Sequence, residues 1–451
     1  MVKWFCEFGR DDDRARESGD AMKIEQDEAM HTEQHAAQKI DNMPDEKMAW
    51  QKKVVLFLAS QNISIFGTML VQYAISWHIT LETQSGVMMT IAIICAFVPS
   101  FFISPFAGVW ADRYNRKLLI VLADSLTAIT TLLLAFLFLL GYDSIWLLFA
   151  ALVIRSIGTA IQTPAVGAIL PLFVPEDQLN KVNGINSSIQ SLVMLVSPLL
   201  SGALLSVATI VSIFFIDVVT AAIAVTIMLF FLQIRTHAKA LEKQESGYFA
   251  DMSQGIKYIN KHSYLRTIFI FCAFYFVLVS PLSFLTPLQV ARSFGDDYWR
   301  LTALEVAFSV GMMLGGLFIA AWGGFKNKLH TMVLANFVIS FCTLALGIIP
   351  IFGIYLFFMV LVGLVMPLFN TPFTVLLQQK VEPDFLGRVF GVLSMISSSI
   401  MPLSMLVYGP LADAIKIEWM LLVTGFLMLI LSFFMLRNKV LLEAGKPSQV
   451  Q

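Results

Sequence analysis

The chain has 451 residues, of which 57% are hydrophobic and only 14% carry a charged side chain, and its mean hydropathy is +0.76. A water-soluble domain keeps about a quarter of its residues charged, so this composition excludes a soluble globular protein. The formal net charge is −1, but thirteen acidic and seven basic side chains fall within residues 1–47. This segment has no apolar stretch of signal-peptide length, so we predict a solvated and largely disordered cytoplasmic tail.

Apolar runs of about 20 residues, which can cross a hydrocarbon core about 30 Å thick, recur along the rest of the chain. Lipid offers the backbone no hydrogen-bond partner, so these runs must be helices. We predict an all-α membrane protein with two six-helix halves at 48–233 and 264–437, a polar central loop at 234–263 and a tail at 438–451. The predicted spans are 50–79, 86–110, 118–141, 145–169, 184–207, 210–233, 264–290, 300–322, 330–350, 354–378, 387–409 and 419–437.

The distribution of lysine and arginine predicts the orientation of these spans. One set of connections carries most of the basic side chains, whereas the opposite connections contain only Arg292, Arg300 and Lys416. Positive residues concentrate in cytoplasmic loops. We therefore predict that both termini and the central loop are cytoplasmic.

Two stretches of the chain repeat. Residues 174–184 and 381–391 match at five positions with an offset of 207, and residues 121–124 match residues 333–336 with an offset of 212. Each longer stretch places a proline and then Asp177 or Asp384 before an apolar helix, which predicts helix N-caps. Polar matches at two separate places indicate a duplicated six-helix unit.

The connection after the second span carries a distinctive motif. Residues 108–117 read Gly-Val-Trp-Ala-Asp-Arg-Tyr-Asn-Arg-Lys. The positive-inside rule explains the basic residues but not an aspartate directly before an arginine with a glycine four residues upstream. The stretch resembles the loop signature G-x-L-A-D-R-x-G-R-R/K of the major facilitator superfamily, with Trp110 and Asn115 in place of the leucine and the second glycine.

This resemblance implies the major facilitator fold and a cytoplasmic gate motif. We expect Gly108 to allow close approach of neighbouring helices. We expect Asp112 to face the N-terminal end of the eleventh span, a contact worth about 0.3–2 kcal/mol. The alternative is a loop whose charges only set the topology. The gate residues implied by the motif are Gly108, Asp112, Arg113, Arg116, Lys117 and Arg388.

Small residues mark the fifth and eighth spans. The stretch Ser-Pro-Leu-Leu-Ser-Gly at 197–202 resembles the exporter-associated motif G-P-x-x-G-G, with serine in place of two glycines. Pro198 and Gly202 predict a bend and close packing, although an ordinary kinked helix would show the same pattern. In the eighth span, residues 311, 315 and 316 are glycines and predict a packing face.

Four charged side chains lie in the interior of the predicted spans, away from their ends, where a charge is costly and usually functional. Arg155 is a candidate for coupling to protons or substrate, and an internal ion pair is the alternative. Burial favours the neutral form of a carboxyl group, so Asp124, Asp217 and Glu305 are candidate proton carriers, with hydrogen bonding inside the bundle as the alternative. Glu305 is preferred because no other acid falls within the second-half spans. Two further residues, Gln72 and Tyr73, are candidates for lining the substrate path.

The region between the first and last spans resembles bacterial drug-efflux facilitators, and macrolide efflux proteins most clearly, through Phe149 to Leu179 and Leu386 to Phe390. The resemblance implies alternating-access export of amphipathic small molecules in exchange for protons. Export of an endogenous metabolite or a siderophore, nutrient import and a channel stay open. The chain lacks H-E-x-x-H, G-x-S-x-G and P-loop motifs, so a membrane enzyme or an ATP-driven pump is disfavoured. We expect a monomer without disulfide, metal, cofactor or nucleic-acid partner.

Overall fold

The computed structural model describes residues 44–172, 174–232 and 248–446, so most of the predicted N-terminal tail lies outside the described residues. The described ranges are almost wholly helical and contain no β-strand. The helices are α1 (Pro44–Thr83), α2 (Gly86–Arg113), α3 (Arg116–Leu139), α4 (Ile145–Ile169), α5 (Glu176–Val207), α6 (Ile210–Thr226), α7 (Tyr248–Lys261), α8 (Ser263–Phe284), α9 (Thr286–Ser293), α10 (Tyr298–Trp322), α11 (Lys328–Leu346), α12 (Phe352–Lys380), α13 (Pro383–Ala414), α14 (Ile417–Arg437) and α15 (Lys439–Ala444).

Twelve helical stretches are long and apolar enough to cross a membrane, which confirms the predicted number of spans. The seventh stretch, Ser263–Ser293, consists of α8 and α9 with a break at Leu285. Pro281 precedes this break and Pro287 follows it. A proline ring lacks an amide donor and clashes with the preceding turn, so two prolines six residues apart interrupt the helix.

The predicted N-caps at Asp177 and Asp384 are wrong. Helix α5 begins at Glu176 after the cap residue Pro175, and α13 begins at Pro383 after the cap residue Glu382. Both aspartates therefore lie in the first helical turn. Proline is favoured at a helix start because its φ angle is already helical, and an acid in the first turn complements the helix dipole.

Part of the predicted central loop is helical. Helix α7 occupies residues 248–261, and it buries Tyr258 and Ile259 on one face. The Tyr258 ring stacks on Phe385 with 4.3 Å between the ring centroids. A Cβ atom at Gly255 would lie 3.0 Å from the carbonyl oxygen of Arg388. The sequence analysis assigns no helix to this segment, because the polar outer face of α7 masks its apolar positions, which recur at helical spacing.

The duplication predicted from the sequence has a structural counterpart at two helix starts. The side chain of Asn115 accepts a hydrogen bond from the Lys117 amide at 3.0 Å and begins α3. The side chain of Asn327 accepts one from the Leu329 amide at 3.0 Å and begins α11. These asparagines are separated by the same offset of 212 residues as the 121–124 and 333–336 repeat. Equivalent helices of the two halves therefore start with the same cap.

Among the described residues, the most extensive packing between the halves joins α2 to α13 and α5 to α10. Within the second half, α10 packs closely on α12. A Cβ atom at Gly311 would lie 2.1 Å from the Val360 carbonyl oxygen, and one at Gly315 would lie 2.0 Å from the Leu364 carbonyl oxygen. These two glycines confirm the predicted packing face on the eighth span. Gly316 does not belong to it, because a Cβ atom there would meet nothing within 4 Å.

Candidate functional site

The two halves meet tightly on the predicted outer side, at a junction formed by Ser85, Gly86, Arg292 and Asp413, which we call the outer junction. The Asp413 carboxylate, at the end of α13, accepts hydrogen bonds from the Gly86 amide at 2.7 Å and from the Ser85 hydroxyl at 2.8 Å. The Val87 amide also donates to this carboxylate, at 3.0 Å. Arg292 pairs with the same group at 2.7 Å. A carboxylate at the N-terminal end of α2 is stabilised by the free amides and by the helix dipole.

The backbones of α2 and α13 also touch beside the outer junction. A Cβ atom at Gly86 would lie 2.2 Å from the carbonyl oxygen of Gly409. The Thr90 hydroxyl donates to the carbonyl oxygen of Met405 at 3.0 Å. Because α13 extends to Ala414, Asp413 lies within the eleventh span. The expectation that Glu305 is the only acid in the second-half spans is therefore wrong, and it failed because the predicted span ended at residue 409.

On the predicted cytoplasmic side, a Cβ atom added at Gly108, Gly184, Gly387 or Gly391 would meet no described atom within 4 Å. The described residues therefore show no close helix packing at Gly108, and its role in the gate motif stays a prediction. The close contacts between the halves at Gly86 and Gly202 lie toward the opposite, predicted outer ends of their helices.

The basic residues of the gate motif bind the ends of neighbouring helices. Arg116 donates to the carbonyl oxygens of Ala111 at 2.9 Å and of Ala168 at 2.6 Å. Lys117 donates to the carbonyl oxygen of Leu232 at 2.8 Å. Cations stabilise the unsatisfied carbonyl groups at helix C-terminal ends. These contacts tie together the predicted cytoplasmic ends of α2, α4 and α6.

The side chain of Asp112 is outside the part of the chain that the structure describes, so its expected contact is not tested here. Its proposed partner region is described, and there the Arg388 guanidinium lies over the Phe385 ring, 5.3 Å from the ring centroid. Arg113, the neighbour of Asp112, is exposed. The gate role of the motif therefore stays a prediction.

Arg155 forms an ion pair inside the first half. Its Nη1 atom lies 2.6 Å from Asp217 Oδ2, and the two side chains are 4% and 3% exposed. The Thr131 hydroxyl donates to the same Asp217 oxygen at 2.9 Å and also contacts Arg155. A second guanidinium nitrogen donates to the Thr68 carbonyl oxygen at 3.3 Å. The structure thus brings together two of the four charged candidates, and Thr131 is a partner that the sequence did not reveal.

Asp124 lies elsewhere in the same half, within a group of uncharged polar side chains. It is 3% exposed. Its Oδ1 atom accepts hydrogen bonds from Ser64 Oγ and from Gln162 Nε2, both at 2.7 Å. Gln61 is next to Gln162, with 3.5 Å between their amide groups. Sequence reasoning missed the two partners of Asp124 and the neighbouring Gln61, because lone serines and glutamines in apolar spans give no pattern, and only their polarity within a span could have pointed to them.

Glu305 on α10 faces the first half. It lies close enough to Tyr73 on α1 to act on it electrostatically, and both side chains are partly buried. Among the described residues, none forms a hydrogen bond or an ion pair with the Glu305 carboxylate. Gln72 is also partly buried. Trp77 is only 2% exposed and lies beside Tyr73, with 5.4 Å between the ring centroids and the ring planes tilted by 46°, so it belongs to the core of the bundle.

The fifth-span motif lies where α5 meets two other helices. Pro198 is inside α5. The Ser201 hydroxyl donates to the Leu70 carbonyl oxygen on α1 at 3.2 Å. A Cβ atom at Gly202 would lie 1.6 Å from Thr302 Oγ1 on α10, so only glycine fits this contact between the halves.

The sequence of residues 55–405 matches the model of the Major Facilitator Superfamily, which is more than half of the chain. The chain belongs to this superfamily. Its fold agrees, since a mutant of the nucleoside transporter NupG superposes with a TM-score of 0.65 at 16% identity, over 85% of this chain and 98% of that one. The superfamily consists of transporters, and the twelve spans of this facilitator form two six-helix halves as in its relatives.

Two characterised relatives are macrolide efflux proteins. The facilitator is 29% identical to macrolide efflux protein A of Streptococcus pyogenes over 382 residues, which cover 84% of this chain and 94% of the relative. It is 30% identical to macrolide efflux protein A of Enterococcus faecalis over 311 residues, which cover 68% of this chain and 96% of the relative. The resemblance inferred from the sequence motifs is confirmed at the level of the family.

Proposed function

We propose that this facilitator exports amphipathic, macrolide-type compounds across a bacterial inner membrane in exchange for protons, by alternating access. The observation that carries this proposal is its 29–30% identity to macrolide efflux proteins along nearly their whole length. The match to the Streptococcus pyogenes protein covers 84% of this chain, so it extends over both halves. We further propose that both termini are cytoplasmic, as the distribution of basic residues predicts.

The arrangement of the two halves supports alternating access. The halves are held together at the outer junction, where Asp413 receives three protein donors and pairs with Arg292. At the opposite helix ends, a Cβ atom added at Gly108, Gly184, Gly387 or Gly391 would meet no described atom within 4 Å. A substrate coming from the cytoplasm would enter there, and export requires the outer junction to separate while the gate motif closes. In that closing step we propose that Asp112 approaches the N-terminal end of α13 near Arg388.

Charged groups inside the membrane support coupling to protons. The Arg155–Asp217 pair lies within the first half, and Glu305 lies between the halves beside Tyr73. An ionisable group within a membrane span is costly and is retained for function. We propose that Glu305 carries a proton, because its carboxylate has neither a cation nor a hydrogen-bond donor among the described residues. Arg155 and Asp217 balance each other, so their pair orients α4 and α6.

The test is the antibiotic susceptibility of a bacterial host that lacks its own efflux pumps. Cells that produce the facilitator should tolerate higher concentrations of macrolides than cells that produce the variant Asp112→Asn at the same membrane level. A variant at an exposed acid of the α9–α10 connection, Asp296→Asn, serves as the matched control and should protect as well as the wild type. Protection against no macrolide at all would contradict the proposal and favour export of an endogenous metabolite.

A further inference from the structure

Three polar side chains surround Asp124 deep inside the first half, and together with it they form what we call the Asp124 cluster. Gln61 and Ser64 come from α1, Asp124 from α3 and Gln162 from α4. Gln61 and Asp124 are 2% and 3% exposed, respectively. Gln162 is only partly buried, so the cluster reaches toward the edge of the helix bundle through this side chain.

Two polar atoms of the Asp124 cluster are buried without a partner among the described residues. The Oδ1 atom of Asp124 has two donors, whereas its Oδ2 atom has none. The Nε2 atom of Gln61 is also a buried donor without an acceptor. Buried polar atoms in folded proteins are hydrogen-bonded in the great majority of cases, so an orphaned carboxylate oxygen and an orphaned amide donor in one cluster point to a ligand.

The charge balance of the buried side chains leads to the same conclusion. Three charged side chains are almost fully buried in the described part of the chain, namely Asp124, Arg155 and Asp217. Arg155 is paired with Asp217 at 2.6 Å. Asp124 is therefore left without a counter-charge. A buried carboxylate requires either a cation or a proton to compensate it.

The second half shows that packing does not require a charge at this position of the fold. The repeat with an offset of 212 places Asn336 of α11 opposite Asp124 of α3. Asn336 is also buried, and its amide donates to the Ser432 hydroxyl at 2.7 Å. An uncharged amide of nearly the same shape thus fills the equivalent place. The negative charge is specific to the first half, whereas a buried oxygen without a partner among the described residues occurs in both halves, at Asp124 Oδ2 and at Asn336 Oδ1.

We propose that the Asp124 cluster binds the protonated amine of a cationic amphipathic substrate. The amine N–H donates to Asp124 Oδ2, and the Gln61 amide donates to a hydroxyl or carbonyl oxygen of the same molecule. Such a contact is a charge-assisted hydrogen bond in a low-dielectric environment, where it is strongest. The proposal rests on the proposed export function and narrows its substrates to amphipathic compounds that carry a single basic nitrogen.

The test compares two ligands that differ in charge only at one nitrogen: erythromycin, whose dimethylamino group is protonated at neutral pH, and its neutral N-desmethyl-N-acetyl derivative. Binding to the purified full-length protein in lipid nanodiscs is measured for the wild type and for Asp124→Asn. We expect the variant to bind the amine at least tenfold more weakly and the neutral derivative within twofold of the wild type. Asp296→Asn is the matched acid-to-amide control and should change neither affinity.

Several results would overturn this inference while leaving the proposed function intact. If Asp124→Asn lowers the affinity for both ligands equally, the carboxylate is structural. If it lowers the affinity for neither ligand, the cluster holds a proton or water only. If Asp124→Asn does not fold, the variant Gln61→Leu is measured in its place. Its affinity for both ligands should be at least threefold lower than that of the wild type. An unchanged affinity would refute the site. If the wild type exports neither compound from cells, the proposed function fails and the inference fails with it.

Discussion

The outer junction yields a quantitative prediction for Asp413→Asn. This change removes the negative charge that pairs with Arg292 and that accepts from the Gly86 and Val87 amides, but it keeps the shape of the side chain. The ion pair is 29% and 30% exposed, so it contributes at most about 1 kcal/mol. Hydrogen bonds to a charged group contribute about 1.5–3 kcal/mol, and the asparagine oxygen retains part of this contribution.

The net loss at the outer junction is therefore about 1–2 kcal/mol, which corresponds to a shift of roughly 5- to 30-fold in the equilibrium between the outer-closed and outer-open states. The assay measures the distance between spin labels at Tyr142 and Trp419, which are 64% and 62% exposed on the predicted outer side of the two halves. The four native cysteines are replaced first.

In Asp413→Asn the ratio of the population with the longer label distance to that with the shorter distance should increase by this factor, because the outer-closed state alone contains the junction. Asp296→Asn, an acid-to-amide change on the same side but outside the junction, should leave the distance distribution as in the wild type. An unchanged distribution in Asp413→Asn would show that the junction does not hold the halves together.

Three further predictions concern the interior. Arg155→Met should lower the free energy of unfolding by about 3–5 kcal/mol, because it leaves Asp217 buried without a counter-charge. The double variant Arg155→Met with Asp217→Leu should regain thermal stability in detergent. A double variant as unstable as the single one would argue against a stabilising ion pair. Gly202→Ala should reduce transport at normal membrane levels, since its methyl group would overlap Thr302, and Thr302→Ala should restore it. Glu305→Gln should weaken the dependence of efflux on the pH gradient in proteoliposomes while substrate binding persists, and an unchanged dependence would exclude this residue as the proton carrier.

The sequence predicts the architecture well, because span length and composition are set directly by the lipid environment. Twelve apolar runs are visible without any knowledge of their packing. The limits of the spans are less predictable. Asp413 was assigned to a connection because α13 continues as a helix beyond its apolar core. Helix α7 was overlooked because only one of its faces is apolar.

The partners of the buried charges were not predictable from the sequence. Arg155, Asp124 and Asp217 stand on three different helices, and their pairing depends on how each helix is rotated against its neighbours. That rotation follows from side-chain packing between segments distant in the chain. The structure pairs Arg155 with Asp217 and leaves Asp124 to Ser64 and Gln162. The sequence identifies the charged residues whose burial in a membrane is costly. Only the fold shows which of these charges compensate one another.

The most direct test of proton-driven export is the accumulation of radiolabelled erythromycin in proteoliposomes that contain the purified facilitator. Exchange of drug for protons predicts accumulation when the lumen is more acidic than the medium, and loss of this accumulation when a protonophore collapses the pH gradient. Liposomes without protein provide the background of passive partitioning. If accumulation exceeds that background by the same amount with and without the pH gradient, this result would contradict exchange with protons.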